Sequence, residues 1–250
     1  MKRLCFYVVI FICTATSFAQ RGNIEDLFLK RGIVSLEGGA SFPVMDYAVT
    51  DFTPSSGYAN VGFQGRLSMS YEYTRYFGIK LMYLYNQNPF NDEAFKHDFE
   101  PIHPYVFPGS TYQNIQTKPY VLSGLMLGVV MPLRMAHATY SFKVMGGVLG
   151  SVLPQQDFSV LVQPNNTPLV LRVEETEAND LAYIAGVDIR HRLHKDWLFT
   201  AYLDFLYTEQ TYTNIRITNT SSGMSFPWSS EYTQYYHIVG VGIGLAYQFE

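Results

Sequence analysis

Eight charged residues fall at alternate positions within segments that are otherwise rich in apolar residues. Four are acidic and four are basic: Glu37, Arg66, Glu72, Lys80, Lys143, Asp188, Arg190 and Asp204. Buried charges are tolerated when they are paired, so this balance of signs favours a paired network that fills a closed interior. The alternative is an ion pathway or a proton-transfer site, in which the same side chains would line a lumen.

The six histidines add few candidates for chemistry. His97 and His103 lie in a segment with several acidic residues, and imidazole and carboxylate groups are both metal ligands. Solvated surface side chains are the simpler interpretation of that segment. His191 and His194 are separated by an arginine and a leucine, which supply no general base. The sequence therefore predicts neither a metal nor another cofactor.

Alternation of apolar and polar residues defines the elements that would position these charges. Successive side chains of a strand face opposite sides of the sheet. Residues 61–73 place Phe63 and Leu67 on one face and Arg66 and Glu72 on the other. Eight segments follow this pattern with differing clarity: 32–42, 61–73, 78–86, 120–130, 140–148, 181–190, 197–208 and 239–249. A tilted strand needs about 9–11 residues to cross a bilayer, and most of these segments are close to that length.

The connections between these segments alternate in length. Short turns are predicted at 74–77, 131–138 and 193–196, and long loops at 43–60, 87–119, 150–179 and 213–234. This alternation predicts an all-β fold, an eight-stranded antiparallel transmembrane up-and-down β-barrel with short periplasmic turns and long extracellular loops. Ten strands are the alternative, because residues 158–162 and 169–173 could pair as a further hairpin. We expect these two segments to extend two strands above the membrane instead.

The N-terminus has the three parts of a secretory signal peptide. Two basic residues follow Met1, residues 4–13 are almost wholly apolar, and small residues follow at 17 and 19. The apolar run is shorter than the roughly 20 residues of a membrane-spanning helix. We predict a signal peptide (1–19) removed between Ala19 and Gln20 after export through the Sec pathway, a periplasmic lead (20–30) and a β-barrel domain (31–250).

Composition narrows the class of protein further. Both cysteines, Cys5 and Cys13, leave with the signal peptide, which excludes disulfides and thiol chemistry in the mature chain. Two of the 17 basic residues also leave with the signal peptide, so the mature chain has 15 basic and 21 acidic residues. The sequence contains no basic patch, so nucleic acid is not expected as a partner. Charged residues are 15% and aromatic residues 16% of the chain, which suits aromatic girdles at a membrane. A soluble, tyrosine-rich β-sandwich is the alternative.

Two short stretches, at 38–47 and 244–249, resemble the outer-membrane-protein β-barrel domain family of Gram-negative bacteria, which includes small porin-like barrels. The first begins with the letters GGASFP. The second is similar to the terminal signal read by the barrel assembly machinery, although Glu250 follows the last aromatic residue and Gly242 replaces a common polar residue. The residues that match this signal are Gly244, Tyr247 and Phe249. The resemblance implies an outer-membrane location and the assembly machinery as a partner, but no activity.

The role of the protein stays open among several classes. We expect a structural, adhesive or surface-interaction role, with outer-membrane lipid and lipopolysaccharide around the barrel and an extracellular ligand at the loops. Exposed loop aromatics can anchor such a ligand or pack together as a lid: Tyr105, Phe107, Tyr112, Phe226 and Trp228. The alternatives are a narrow pore or small-solute transporter, an accessory component of a secretion apparatus, and a lipid-modifying enzyme.

An enzyme is not expected from the sequence. A lipid A-modifying hydrolase or acyltransferase needs a histidine with a serine or an acidic partner at the outer rim. No serine lies in a nucleophile motif, and His237 with Glu231 is the best candidate pair.

Overall fold

Antiparallel strands make up most of the computed structural model, which describes residues 31–50, 56–101, 110–135, 138–162, 167–219 and 225–249. The strands are β1 (Arg31–Pro43), β2 (Gly62–Glu72), β3 (Gly78–Asn88), β4 (Ser110–Thr117), β5 (Tyr120–Arg134), β6 (Thr139–Leu153), β7 (Gln156–Val162), β8 (Thr167–Val173), β9 (Thr176–His194), β10 (Trp197–Asn219) and β11 (Ser225–Phe249). A 3-10 turn (Met45–Tyr47) and a helix, α1 (Asp92–Phe99), accompany them. Within these ranges, no helix is long and apolar enough to cross a membrane. The predicted signal peptide and periplasmic lead lie outside the described residues.

Eight of the strands close into a ring. The order around it is β11, β1, β2, β3, β5, β6, β9 and β10, and β10 pairs again with β11. Every neighbour in the ring is antiparallel. The β1–β11 seam runs from Gly32 opposite Phe249 to Pro43 opposite Ile238. The predicted eight-stranded antiparallel barrel is confirmed, and the alternative of ten strands in the ring is wrong.

Alternation along each strand decides which side chains fill the barrel and which cover it. In β2, the inward residues Gln64, Arg66 and Ser68 are buried. Their neighbours Leu67 and Met69 point outward and are 52% and 51% exposed. The period-two pattern of the sequence is therefore the inside–outside pattern of the wall.

The outer wall carries a belt of apolar side chains bordered by aromatic ones. Exposed aliphatic residues in the belt include Leu36, Leu67, Leu125, Leu127, Val144, Leu203 and Ile243. Aromatic residues border it at the short-turn end: Tyr73, Tyr76, Phe77, Trp197, Tyr247 and Phe249. Others border it at the opposite end: Phe42, Phe63 and Tyr183. An apolar belt between aromatic girdles is the exterior of a membrane-spanning β-barrel, because water would not solvate so large an apolar surface.

Three short connections join ring strands at one end of the barrel. They link β2 to β3, β5 to β6 and β9 to β10, close to the predicted positions. The predicted long loop at 213–234 is wrong in extent, because β10 and β11 stay paired as far as Thr218 opposite Ser225. Residues 211–218 still alternate β-branched and polar side chains, which suits a strand more than a loop. The other three long connections lie at the predicted end, and two of them contain strands of their own.

Three strands outside the ring build a sheet beyond the wall. They pair in the order β4, β7, β8, and β8 joins the upper end of β10. The β6–β9 ladder ends with Leu153 opposite Thr176 and resumes in β7–β8 with Gln156 opposite Val173. The segments 158–162 and 169–173 thus extend two ring strands, as the sequence predicts. We call β4, β7, β8 and the upper ends of β10 and β11 the loop-side sheet.

Helix α1 packs beneath the loop-side sheet. The Asn91 side chain caps the helix by accepting a hydrogen bond from the Ala94 backbone N–H at 3.1 Å. Phe95 and Phe99 pack against Phe158 of β7, with ring centroids 6.1 and 5.9 Å apart. The helix therefore anchors the sheet over the barrel mouth rather than leaving it free in solvent.

Because the outer wall faces lipid, we expect a charge placed in it to destabilise the barrel. Leu127, at the middle of β5, is 59% exposed, and an arginine facing the bilayer centre costs about 2–4 kcal/mol. We expect Leu127→Arg to lower the free energy of unfolding in lipid vesicles by about that amount, measured by urea titration. Thr213→Arg adds the same charge to an exposed site on β10 beyond the wall and should cost less than about 0.5 kcal/mol. Equal tolerance of the two substitutions would contradict a lipid-facing belt.

Candidate functional site

Six of the eight charged residues predicted to face inward meet at the middle of the barrel. Each comes from a different strand: Glu37 (β1), Arg66 (β2), Lys80 (β3), Lys143 (β6), Asp188 (β9) and Asp204 (β10). All six are at most 4% exposed, so their charges are neutralised by one another and not by water. Three acids face three bases, which leaves this central network neutral.

Arg66 is the hub of the central network. Its guanidinium donates to Glu37 Oε2 at 2.7 Å, to Asp188 Oδ1 at 3.1 Å and to Asp204. The Tyr202 ring lies against the guanidinium, with its centroid 3.3 Å from Arg66 Cζ. Arginine suits this place because its planar group carries five donors in fixed directions and stacks on aromatic faces.

Two lysines complete the pairing. Lys80 Nζ donates to Asp188 Oδ2 at 2.6 Å, and Lys143 Nζ donates to Asp188 Oδ1 at 2.6 Å. Lys143 Nζ also lies 2.8 Å from Asp204 Oδ1. Asp188 therefore contacts three cations from three strands. Removing a charge from water is costly, and multiple partners of this kind are what make burial of all six tolerable.

Glycines on the inner face leave the volume that the network occupies. A Cβ on Gly186 would overlap Asp204 Oδ1, and one on Gly244 would lie 2.6 Å from Glu37 Cγ. A Cβ on Gly242 would lie 2.6 Å from the Tyr202 ring that covers the hub. In a narrow barrel, small residues on one strand thus make room for large side chains on the next.

Glu72 and Arg190, the other two predicted residues, form a second cluster nearer the short-turn end. Arg190 Nη2 donates to Glu72 Oε1 and to Ser141 Oγ, both at 2.5 Å. Arg134 Nη2 donates to Glu72 Oε2 at 2.8 Å. Sequence reasoning misses Arg134, because it assigns residues 131–138 to a turn. The alternation of β5 continues through that segment and was the available signal, since it carries Arg134 to the inner face.

Apolar and aromatic layers close the lumen between the central network and the loops. Buried aliphatic side chains form the first layer: Met82, Leu84, Met126, Met145, Ile184 and Leu206. Tyr47 of the 3-10 turn then packs against Tyr236 and Tyr120, with ring centroids 4.7 and 5.4 Å apart. The cavity beside the central network measures about 20 Å³, which holds about one water molecule.

The candidate catalytic pair does not come together. Glu231 and His237 share the outward face of β11 but are six residues apart, which corresponds to about 20 Å along a strand. The His237 ring packs instead against Phe205 and Tyr207, with centroids 6.3 and 5.1 Å away. A general base must lie within hydrogen-bond reach of its partner, so this pair has no catalytic geometry.

The other histidines lie on the surface or outside the described residues. His97 Nδ1 and Asp98 Oδ1 are 3.0 Å apart on α1, and this hydrogen bond holds the pKa of the Asp98 carboxyl below its ordinary value. His191 and His194 are exposed at the end of β9, and His103 lies outside the described residues. In the part of the chain that the structure describes, no group of three His, Cys, Asp or Glu residues could hold a metal ion.

The loop aromatics and the terminal signal are placed only in part. Tyr105 and Phe107 lie outside the described residues. The other three predicted loop aromatics fall in strands: Tyr112 in β4, and Phe226 and Trp228 in β11. Tyr247 and Phe249 face outward at the short-turn end, at 43% and 38% exposure. Other aromatic residues, which the sequence does not predict to be buried, form the lid: Tyr47, Tyr58, Phe90, Tyr120 and Tyr236.

A closed ring of eight strands, an apolar belt and a lumen filled by its own side chains define a transmembrane β-barrel protein of the outer-membrane type. Known structures of such barrels resemble the chain. One is Ail, the attachment invasion locus protein of Yersinia pestis, at a TM-score of 0.43 and 12% identity over 88% of this chain and 99% of that one. Another is a major outer membrane protein from Thermus thermophilus, at a TM-score of 0.46 and 13% identity over the same shares.

A third similar structure is the outer membrane protease OmpT from Escherichia coli, at a TM-score of 0.38 and 8% identity over 88% of this chain and 95% of that one. No family model matches the sequence, and no curated protein matches it. Similarity at this level transfers no role to the chain.

Removing the hub of the central network should destabilise the barrel. Arg66→Met leaves Glu37, Asp188 and Asp204 facing only two lysines, and an uncompensated buried charge costs about 3–5 kcal/mol. We expect a loss of that size in the free energy of unfolding, measured by urea titration in lipid vesicles.

The matched control is Arg172→Met on the loop-side sheet. Arg172 makes a two-pronged ion pair with Asp157 at 2.8 and 2.9 Å but is 43% exposed, so its loss should cost at most about 1 kcal/mol. Similar small effects of both substitutions would contradict a buried network whose acids depend on Arg66 for compensation.

Proposed function

We propose that this protein is an integral outer-membrane barrel that acts through its loop-side sheet, in a structural, adhesive or surface-contact role. The observation that carries the proposal is the contrast between the two parts of the molecule. The lumen is filled by side chains, whereas three extra strands and two lengthened ring strands build an ordered surface beyond the wall.

The filled lumen argues against transport as the main role. A conducting barrel needs a continuous polar path, and wide barrels provide one because side chains cannot fill them. Here a neutral ion network, an aliphatic layer and an aromatic lid follow one another along the axis. The charges predicted from the sequence therefore support a paired structural core better than an ion pathway.

The loop-side sheet offers a pre-ordered polar surface. Thr211 of β10 and Thr233 of β11 are hydrogen-bonded across the strands at 3.3 Å. Arg172 and Asp157 pair on the neighbouring strands, and the hydrogen bonds from Arg172 hold the pKa of the Asp157 carboxyl below its ordinary value. A surface already held by ladders and ion pairs loses little further freedom on binding, which favours recognition of a partner.

The alternative roles differ in what supports them. An accessory role in a secretion apparatus would use the same surface, and a co-purifying partner would distinguish it from adhesion. A lipid-modifying enzyme is disfavoured by the separation of Glu231 from His237 along β11. Export through the Sec pathway, cleavage after Ala19 and recognition of the terminal signal by the assembly machinery stay predictions from the sequence.

Because side chains close the lumen, we expect the protein to show no steady conductance. Purified protein inserted into planar lipid bilayers should give no stable channel steps above the bare-membrane background, while a porin added to the same bilayer gives them. Regular steps of constant size from this protein would contradict the proposal and favour the narrow-pore alternative.

Excision of the β7–β8 hairpin tests the role of the loop-side sheet. Gln156 and Val173 are opposite each other in the ladder, so residues 157–172 can be replaced by an Asn-Gly turn. We expect the variant to keep the faster gel migration of an unheated barrel. We also expect vesicles carrying it to lose adhesion to arrayed glycans and matrix proteins that bind the wild type.

Lys118→Gln is the control for the excision, because Lys118 lies at the base of the sheet in an exposed ion pair with Glu175. Its adhesion should equal that of the wild type. Adhesion that survives removal of the hairpin, or a wild type that adheres to no surface in the array, would overturn the proposed role.

A further inference from the structure

A basic vestibule opens at the short-turn end of the barrel, below the central network. It is a cavity of about 180 Å³. Inward-facing residues from four ring strands provide its charged lining: Arg31 (β1), Glu72 (β2), Arg134 (β5), Arg190 and Arg192 (β9). The vestibule belongs neither to the neutral centre nor to the loop-side sheet, and the proposed surface role makes no use of it.

The vestibule has an excess of positive charge. Four guanidiniums face one carboxylate, so the described lining of the vestibule has a net charge of +3. Glu72 is already shared between Arg190 and Arg134. The centre of the same lumen balances three acids with three bases, so an unbalanced cluster a few residues away calls for a counter-ion.

Donors in the vestibule are left without partners. The Arg190 side chain is 10% exposed, and its buried Nε–H has no hydrogen-bond acceptor among the residues that the structure describes. Arg31 lies opposite Glu72 in the β1–β2 ladder and forms no ion pair with any described residue. The guanidinium of Arg31 is therefore available to an oxyanion in the vestibule.

The lining chemistry selects the kind of anion. A guanidinium presents parallel N–H groups that match two oxygens of a phosphate, and several such groups can surround one phosphate. Thr139 and Gln248 add uncharged polar groups beside the arginines, and no second carboxylate in the described lining repels an anion. Leu198 and Met135 supply the apolar part of the wall.

We propose that this vestibule is a binding site for a phosphate group presented from the short-turn side, which is the periplasmic side of an outer-membrane barrel. The phosphate belongs either to a free phosphate compound or to the headgroup of an inner-leaflet phospholipid. Arg31 and Arg134 bind it directly, and the Arg190 guanidinium forms the floor of the site.

Calorimetric titration of the delipidated, detergent-solubilised full barrel with inorganic phosphate tests the site at constant ionic strength. The wild type should bind in a saturable way, and the double variant Arg31→Gln, Arg134→Gln should bind about ten-fold or more weakly. Arg75→Gln is the control, because Arg75 lies at the same end in the β2–β3 turn and outside the vestibule lining. It should bind as the wild type does. The gel shift on heating verifies that each variant is folded.

Lipid analysis of gently purified protein distinguishes the two sources of the phosphate. Phospholipid retained by the wild type and lost from the double variant would assign the site to a lipid headgroup. Saturable binding of inorganic phosphate without retained phospholipid would assign it to a free phosphate. The proposal is overturned if the wild type shows neither, or if the double variant and Arg75→Gln bind phosphate equally well. The outcome is independent of adhesion through the loop-side sheet.

Discussion

Closure of the strand ladder at the β1–β11 seam is the constraint on which the rest of the structure depends. In lipid, no water is present to satisfy the N–H and C=O groups of an open edge, and each unpaired group costs several kcal/mol. Twelve residue pairs join β1 to β11 and complete the ring. Closing with eight strands also makes the interior narrow, so the lumen must be filled by the protein's own side chains.

The filling follows from that narrow radius. Glycines such as Gly186 and Gly244 yield space on some strands, and long charged side chains use it on others. The central network joins six of the eight ring strands across the lumen, in addition to their backbone ladders. Charges buried in this way stabilise little by themselves, but any arrangement that separates them is costly. We infer that the network disfavours slipped registers, since a shift by one residue would turn Arg66 into the lipid.

The two ends of the barrel are built differently. At the loop end, lengthened strands and aromatic packing between α1 and β7 build an ordered, polar sheet over a sealed mouth. At the short-turn end, the lumen stays open to solvent and its lining is basic. A single filled barrel thus separates an ordered polar sheet on one side from a basic recess on the other, with a neutral core between them.

The sequence by itself determined the barrel, the sidedness of its connections and the inward direction of the charged residues, because a strand's period of two is a local property. It could not determine which charges meet. Arg66 and Asp204 are 138 residues apart, and their contact depends on register and on which strands face each other across the lumen. The reach of β10 and β11 beyond the wall, and the addition of Arg134 to the second cluster, had a signal in the local alternation, but only pairing with a neighbouring strand decided between strand and loop or turn. Pairing with a neighbouring strand can keep residues in a strand even where their local composition is also compatible with a loop or turn.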